Sequence, residues 1–192
     1  KLYEGHQGST EKPQFASTEA TATQEIINPK WENDFSEVSK SLTYQLHGRF
    51  ILSHIKTGFI IVDQQSAHER ILYEKFLINL TNHKAGSQQL LFPETIEFNA
   101  ADTSLMMLLL PSLNDLGFAL EEFGKNTFVV HGKPPILSDA DSKQQLESIL
   151  EEFKKNQSEL KLQTTENLAR SMAYYSAIKS GKILSNDEMK GI

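Results

Sequence analysis

From Thr43 onward the apolar residues fall into two kinds of pattern. Short apolar runs bounded by Gly, Lys and Asn predict strands, and longer stretches with apolar residues three and four apart predict helices. "TYQLHGRFILSHIKTGFIIVDQQ" predicts two strands, 43–55 and 58–63, turning at Lys56-Thr57-Gly58. The second carries Phe59, Ile60, Ile61 and Val62 in succession, the composition of a strand covered on both faces and so central in its sheet. A helix follows with Ile71, Leu72, Phe76, Leu77 and Leu80 on one broad face, and "TNHKAGS" ends it.

"QQLLFPETIEF" is extended, and Asn99 suits the N-cap of the next helix. Pro111 is expected to kink or interrupt that helix and Gly117 to end it. "FALEEFGKNTFVVHGKPP" predicts a hairpin turning at Gly124-Lys125-Asn126. "DSKQQLESILEEFKKN" predicts an amphipathic helix with Leu146, Ile149, Leu150 and Phe153 inward. Another helix, about 166–180, is expected in "TTENLARSMAYYSAIKSG", capped by Thr164 or Thr165 and stopped by Gly181. Ser185 and Glu188 stand in capping-box spacing and open a last one. The order β-β-α-β-α-β-β-α-α-α is that of a mixed α+β fold.

Residues 1–40 lack this periodicity. They are rich in Thr, Glu, Gln, Ser and Gly and are expected to form a disordered linker tail, with Trp31 and Phe35 as local docking points. The whole chain of 192 residues carries a formal charge of −6, without the basic balance of a dedicated nucleic-acid-binding protein. It contains no cysteine, so neither a disulfide framework nor a thiolate ligand arises within it. No apolar run reaches the roughly 18 residues of a membrane span, and the first residues lack an apolar signal core. A soluble, cytoplasmic location is the expectation. The chain starts without Met and stops inside a helix-like pattern, so it reads as a piece of a longer protein.

Chemistry concentrates in "IIVDQQSAHERILYEKF", residues 60–76. An acid, Asp63, ends a strand, and His68, Glu69 and Glu74 follow on a helix. One account is structural: Ser66 caps the helix, Glu69 closes a capping box, and Arg70 and Glu74 lie on a solvated face. The other is a metal-dependent site, for which imidazole and carboxylate are suitable ligands. On that account Gln65 is a poor ligand, and His68 is turned about 100° around the helix from Glu69.

The register of these residues resembles the C-terminal domain of the MutL family of DNA mismatch-repair proteins. That family runs a strand pair into D-Q-H-A-x-x-E-R-h-x-Y-E; here Asp63, Gln64, Glu69, Arg70, Tyr73 and Glu74 agree. Near the end, "MAYYSAIKSGKILSNDEM" agrees with a second family block at Ala173, Ala177, Lys179, Gly181, Leu184, Glu188 and Met189. "DLGFALEEFGKNTFVVHGKPPIL" resembles the segment between them. The resemblance covers residues 41–192. It implies an α+β fold of two lobes: an inner dimerisation lobe of 41–87 with 163–192, and an inserted outer regulatory lobe of 88–162. It also implies a homodimer through the inner lobe, whose strands and last long helix carry more apolar residues than one small lobe requires. The implied role is to couple two ATPase arms, absent from this chain, and MutS recognition of mismatched DNA to a downstream repair nuclease or helicase.

Two departures bear on enzymology. The family's endonuclease branch has a ligand His where this chain has Gln65, and a Cys where it has Tyr174. The resemblance therefore implies weak or no metal binding and no confident catalytic residue, with Asp63, Glu69 and Glu74 left as a residual motif. The alternative is a nicking endonuclease holding Zn or Mn through His68 and Glu69. Finally, "QQLLFP" resembles the family's sliding-clamp-binding segment, in which Gln88 sets register and Leu91, Phe92 and Pro93 meet an apolar groove. The simpler account makes it an edge strand with Leu90 or Phe92 in the core.

Overall fold

The computed structural model describes residues 43–83, 85–137 and 141–192; the expected linker tail, with Trp31 and Phe35, lies outside them. The described residues belong to one compact unit. The elements are β1 (Thr43–Leu46), β2 (Phe50–Ile55), β3 (Gly58–Asp63), α1 (Gln64–Asn82), β4 (Gln88–Glu97), α2 (Ala100–Asp115), β5 (Ala119–Glu122), β6 (Thr127–Lys133), α3 (Ser142–Leu160), α4 (Thr164–Ser176) and α5 (Asn186–Lys190), with a short 3-10 turn at Pro135–Leu137. The fold is mixed α+β, as the pattern predicts, with two antiparallel three-stranded sheets ordered β1-β2-β3 and β4-β6-β5.

The long first strand is divided. His47 and Gly48 take positive φ and the Arg49 amide returns to the Leu46 carbonyl, so residues 43–55 fold into a hairpin. A glycine is needed here: a Cβ on Gly48 would lie 3.0 Å from the Gly181 backbone. The strand expected at the centre of the sheet is instead at its edge. β3 pairs with β2 alone, and Phe59 and Ile61 are 64% and 57% exposed. A continuous apolar run requires burial, but it does not say whether its own chain or another molecule supplies the cover.

The main core lies under the helices. α1 contributes Leu72, Phe76 and Leu80, and α3 contributes Leu146, Ile149, Leu150 and Phe153 at the predicted spacing. Small residues at Ala169 and Ala173 on α4 are fully buried in the same cluster, which lets α1 approach α4 closely. Phe98 and Phe128 meet edge-to-face, their centroids 5.8 Å apart. α1 and α4 thus enter the same core as β6, α2 and α3. A separate small cluster, Ile51 with Leu184 and Met189, holds β2 to α5.

Several boundaries differ from expectation for local reasons. Asp63, not Ser66, is the N-cap of α1, because its carboxylate accepts the Ser66 amide. α2 continues through Pro111 without a break in its assignment. α4 starts after Gln163 with no side-chain cap, and stops at Ser176, before Gly181, because Ala177 is extended. Asn99 and the Ser185–Glu188 capping box act as expected.

Candidate functional site

Gln64 is where strand, helix and C-terminal segment meet. It is fully buried, so each of its polar atoms must find a partner. Its Nε2 donates to the carbonyls of Gly48, at 2.6 Å, and Lys182, at 3.2 Å. Its Oε1 accepts from Gln45 Nε2 at 2.6 Å. Gln45 in turn donates to the Lys182 carbonyl and accepts from the Leu184 amide, at 2.7 and 3.1 Å. The Gly181 amide donates to the Gly48 carbonyl at 2.8 Å. The paired amides thus join the β1–β2 turn, the start of α1 and residues 181–184, the parts that form the two blocks of the sequence resemblance. Gln45 was not named as a site residue from sequence, although it is the glutamine that opens the strand pair of the family resemblance.

The residues next to Gln64 continue this role. Asp63 accepts from the Ser66 amide at 3.0 Å and from Arg49 Nε at 3.2 Å. The Ser66 amide holds its carboxyl below the ordinary pKa, with Arg49 helping and burial opposing. Gln65 Oε1 accepts from the Ser180 amide at 3.2 Å, and His68 Nδ1 accepts from the Ile178 amide at 3.0 Å. Burial, and after it the Lys182 cation, lowers the His68 pKa, which favours the neutral ring whose Nδ1 lone pair that amide requires. Glu74 pairs with Arg70 on the exposed face at 2.7 Å. Glu69 lines a cleft between α1 and α4 with Ser66 and Arg70, whereas His68 lines another with Lys182 and Glu188. Among the described residues, no three His, Asp or Glu side chains gather where they could hold a metal ion.

Two apolar features lie outside this network. Strand pairing sets Tyr44, Leu52 and Ile61 in one row across the first sheet. Leu46 and Phe50, and Phe59, lie on the same face, since alternate residues share a side. The opposite face carries Ile51 and Val62 against Leu184 and Met189, so the Tyr44–Ile61 face has no cover within the described residues. The other feature is in β4. Its pairing with β6 is interrupted between Gln89 and Glu94, and the intervening residues bulge from the ladder. Leu90 packs on the core, but Leu91 and Phe92 project outward, 88% and 76% exposed.

An α+β domain with an uncovered apolar sheet face and an apolar bulge is built as an interaction module. The family profile described as the MutL C terminal dimerisation domain matches residues 43–184. Similar proteins include the DNA mismatch repair proteins MutL of Flavobacterium psychrophilum, 38% identical over 154 residues, and Flavobacterium johnsoniae, 34% identical over 169. That of Chlorobium phaeobacteroides is 40% identical over 149 residues. These alignments cover 79%, 88% and 78% of this chain and 25%, 26% and 24% of the respective relatives. The chain belongs to the MutL C-terminal dimerisation domain family, and it spans about a quarter of the length of the curated relatives it matches.

The Gln64 network yields a stability prediction. Gln64→Leu keeps the side-chain volume but removes three buried hydrogen bonds, while Gly48 keeps the Gly181 amide and Lys182 keeps Gln45. Loss of about 2–4 kcal/mol in urea unfolding is expected; a loss under about 0.5 kcal/mol would show that water or Gln45 replaces the bonds.

Proposed function

We propose that this domain joins two copies of its chain through the open face of the β1-β2-β3 sheet, as the dimerisation module of a MutL-like mismatch-repair protein. The observation that carries this reading is the row of uncovered apolar residues at Tyr44, Leu46, Phe59 and Ile61. Burying a side chain of this size contributes about 1.5–3 kcal/mol, so a few symmetry-related copies suffice for a stable interface. Dimerisation would hold two ATPase arms together, and the domain would pass MutS recognition of mismatched DNA to a downstream nuclease or helicase.

A second contact is favoured by the β4 bulge. Gln88 opens the segment, and Leu91 and Phe92 stand free of the core with Pro93 beside them. That arrangement suits insertion of an extended apolar peptide into a groove, and the sliding clamp is the proposed recipient.

In this reading the domain does not nick DNA through a metal ion. A held ion is needed to activate water and stabilise the phosphoryl transition state. Gln65 stands where the family's endonuclease branch has an imidazole, and its oxygen is engaged by the Ser180 amide. The Nδ1 lone pair of His68 is engaged by Ile178, and Tyr174 stands in the place of the branch's Cys. The residues present do not fit a transition-metal site, and no catalytic step is assigned to them.

Three outcomes follow. Sedimentation of the chain at micromolar concentration is expected to show a dimer, and Ile61→Asp to weaken it about a hundredfold or more, because roughly 3 kcal/mol is lost when a carboxylate is left among apolar groups; a wild-type monomer at tens of micromolar would overturn the sheet interface. Gln88→Ala with Leu91→Ala should reduce sliding-clamp affinity about tenfold or more, and equal affinity would remove the bulge from consideration. Supercoiled plasmid with Mn²⁺ should remain uncut; robust nicking abolished by Asp63→Asn would restore the endonuclease reading.

A further inference from the structure

A cavity of about 180 Å³ opens beside α1, and none of its lining residues belongs to the proposed dimer face or to the β4 bulge. Leu72 and Phe76 of α1 and Leu116 after α2 form its floor, and all three belong to the main core. Pro134, Pro135 and Ile136 form another wall. Proline carries no amide hydrogen, so that wall stays poor in donors. An apolar cavity of about 150 Å³ takes a benzene ring, whereas sites for drug-sized ligands start at about 300 Å³. The space therefore fits one apolar side chain and is too small for a cofactor.

Two polar side chains stand at this cavity, Lys75 and Asn79, four apart on α1 and so on one helix face. Neither side chain has a hydrogen bond, ion pair or ring contact among the described residues. No carboxylate lines the cavity among those residues. Asp115, next to Leu116, is engaged by His83, and Glu74, next to Lys75, by Arg70, both at 2.7 Å. Apolar surface continues outside. Ile71 and Ile78 lie four before and three after Lys75, 39% and 58% exposed. Ile136, 43% exposed, also lines the cleft that holds His68 and Ile178. His68, Leu72, Lys75 and Asn79 recur at helical spacing along α1. That track is about 16 Å long, the span of about five extended residues.

We propose that this cavity receives the C-terminal residue of a partner polypeptide, with an apolar side chain on the Leu72–Phe76–Leu116 floor and the terminal carboxylate against Lys75 and Asn79. An ammonium and an amide N–H both donate to a carboxylate oxygen, and the charge strengthens the bond. In a terminal residue the side chain and the carboxylate branch from one carbon. The cavity matches that arrangement, because its cation and its apolar floor come from consecutive residues, Lys75 and Phe76. Capture of a chain end in this way is a general mode of peptide recognition. The preceding residues of the partner would lie along the α1 track over Ile136, which a lone small acid would leave bare. The inference stands apart from the dimer and clamp contacts.

The test is an amide NMR titration of the full 192-residue chain with an acetylated pentapeptide of serine and glycine that ends in leucine. At millimolar peptide the Lys75, Asn79 and Gly86 amides are expected to shift. Amidating the peptide's end, or ending it in glycine, should weaken binding about tenfold or more, since each change removes one half of the match. Lys75→Glu should weaken it by about tenfold or more as well, while Lys75→Arg retains it. Lys75 is exposed, and circular dichroism checks that the variants keep the fold. Absence of shifts at those amides in the wild type would overturn the proposal. So would equal affinity for the amidated peptide, which would mean that an internal apolar side chain suffices. Equal affinity for isocaproate, which has leucine's side chain and a carboxylate but no chain behind them, would replace the polypeptide with a small acid.

Discussion

The side-chain amide of Gln64 is the constraint on which the described structure most depends. A primary amide has donors and acceptors to satisfy, and full burial removes water as an alternative partner. Its bonds to Gln45, Gly48 and Lys182 tie a hairpin turn, a helix start and a C-terminal segment to one point. The Gly48–Gly181 contact brings two backbones together there, at a separation a side chain on Gly48 would disturb. From this junction β3 runs to Asp63, Asp63 caps α1, and α1 carries Leu72, Phe76 and Leu80 into the main core. The geometry of the first sheet relative to α1 is therefore set by hydrogen bonds more than by apolar packing, since the apolar cluster behind that sheet is small.

This explains how a segment with the residue types of an active site can serve a structural end. Gln65 and His68 face the chain after α4 and accept its free amides, the task of holding a segment that has left its helix. Asp63 is a cap with an arginine partner. The surfaces proposed for function lie elsewhere, where apolar groups have no cover among the described residues: the outer face of β1-β2-β3 and the bulge at Leu91-Phe92. The internal network holds these surfaces on rigid elements without using their side chains.

Much of this was legible in local pattern. The hairpin around Gly124, the inward face of α3 and the caps at Asn99 and Ser185 follow from nearest-neighbour chemistry, and the structure has them. What local pattern misplaced depends on distant partners. Ser66 has the spacing of a cap, but the carboxylate three residues earlier reaches the same amide. Gly181 has the look of a helix stop, yet it belongs to the contact with Gly48, and α4 ends before it.

The sequence alone determined the α+β class, most helices and the family, because periodicity and residue register are properties of the chain in order. Only the tertiary structure decided that the most apolar strand is an edge, that Gln64 is a buried hub, and that His68 and Glu69 line different clefts. The reason is common to all three. Burial, satisfaction of polar groups and convergence of side chains depend on residues more than a hundred positions apart, such as Gln64 with Lys182 and His68 with Ile178, and no one-dimensional pattern specifies which of them will meet.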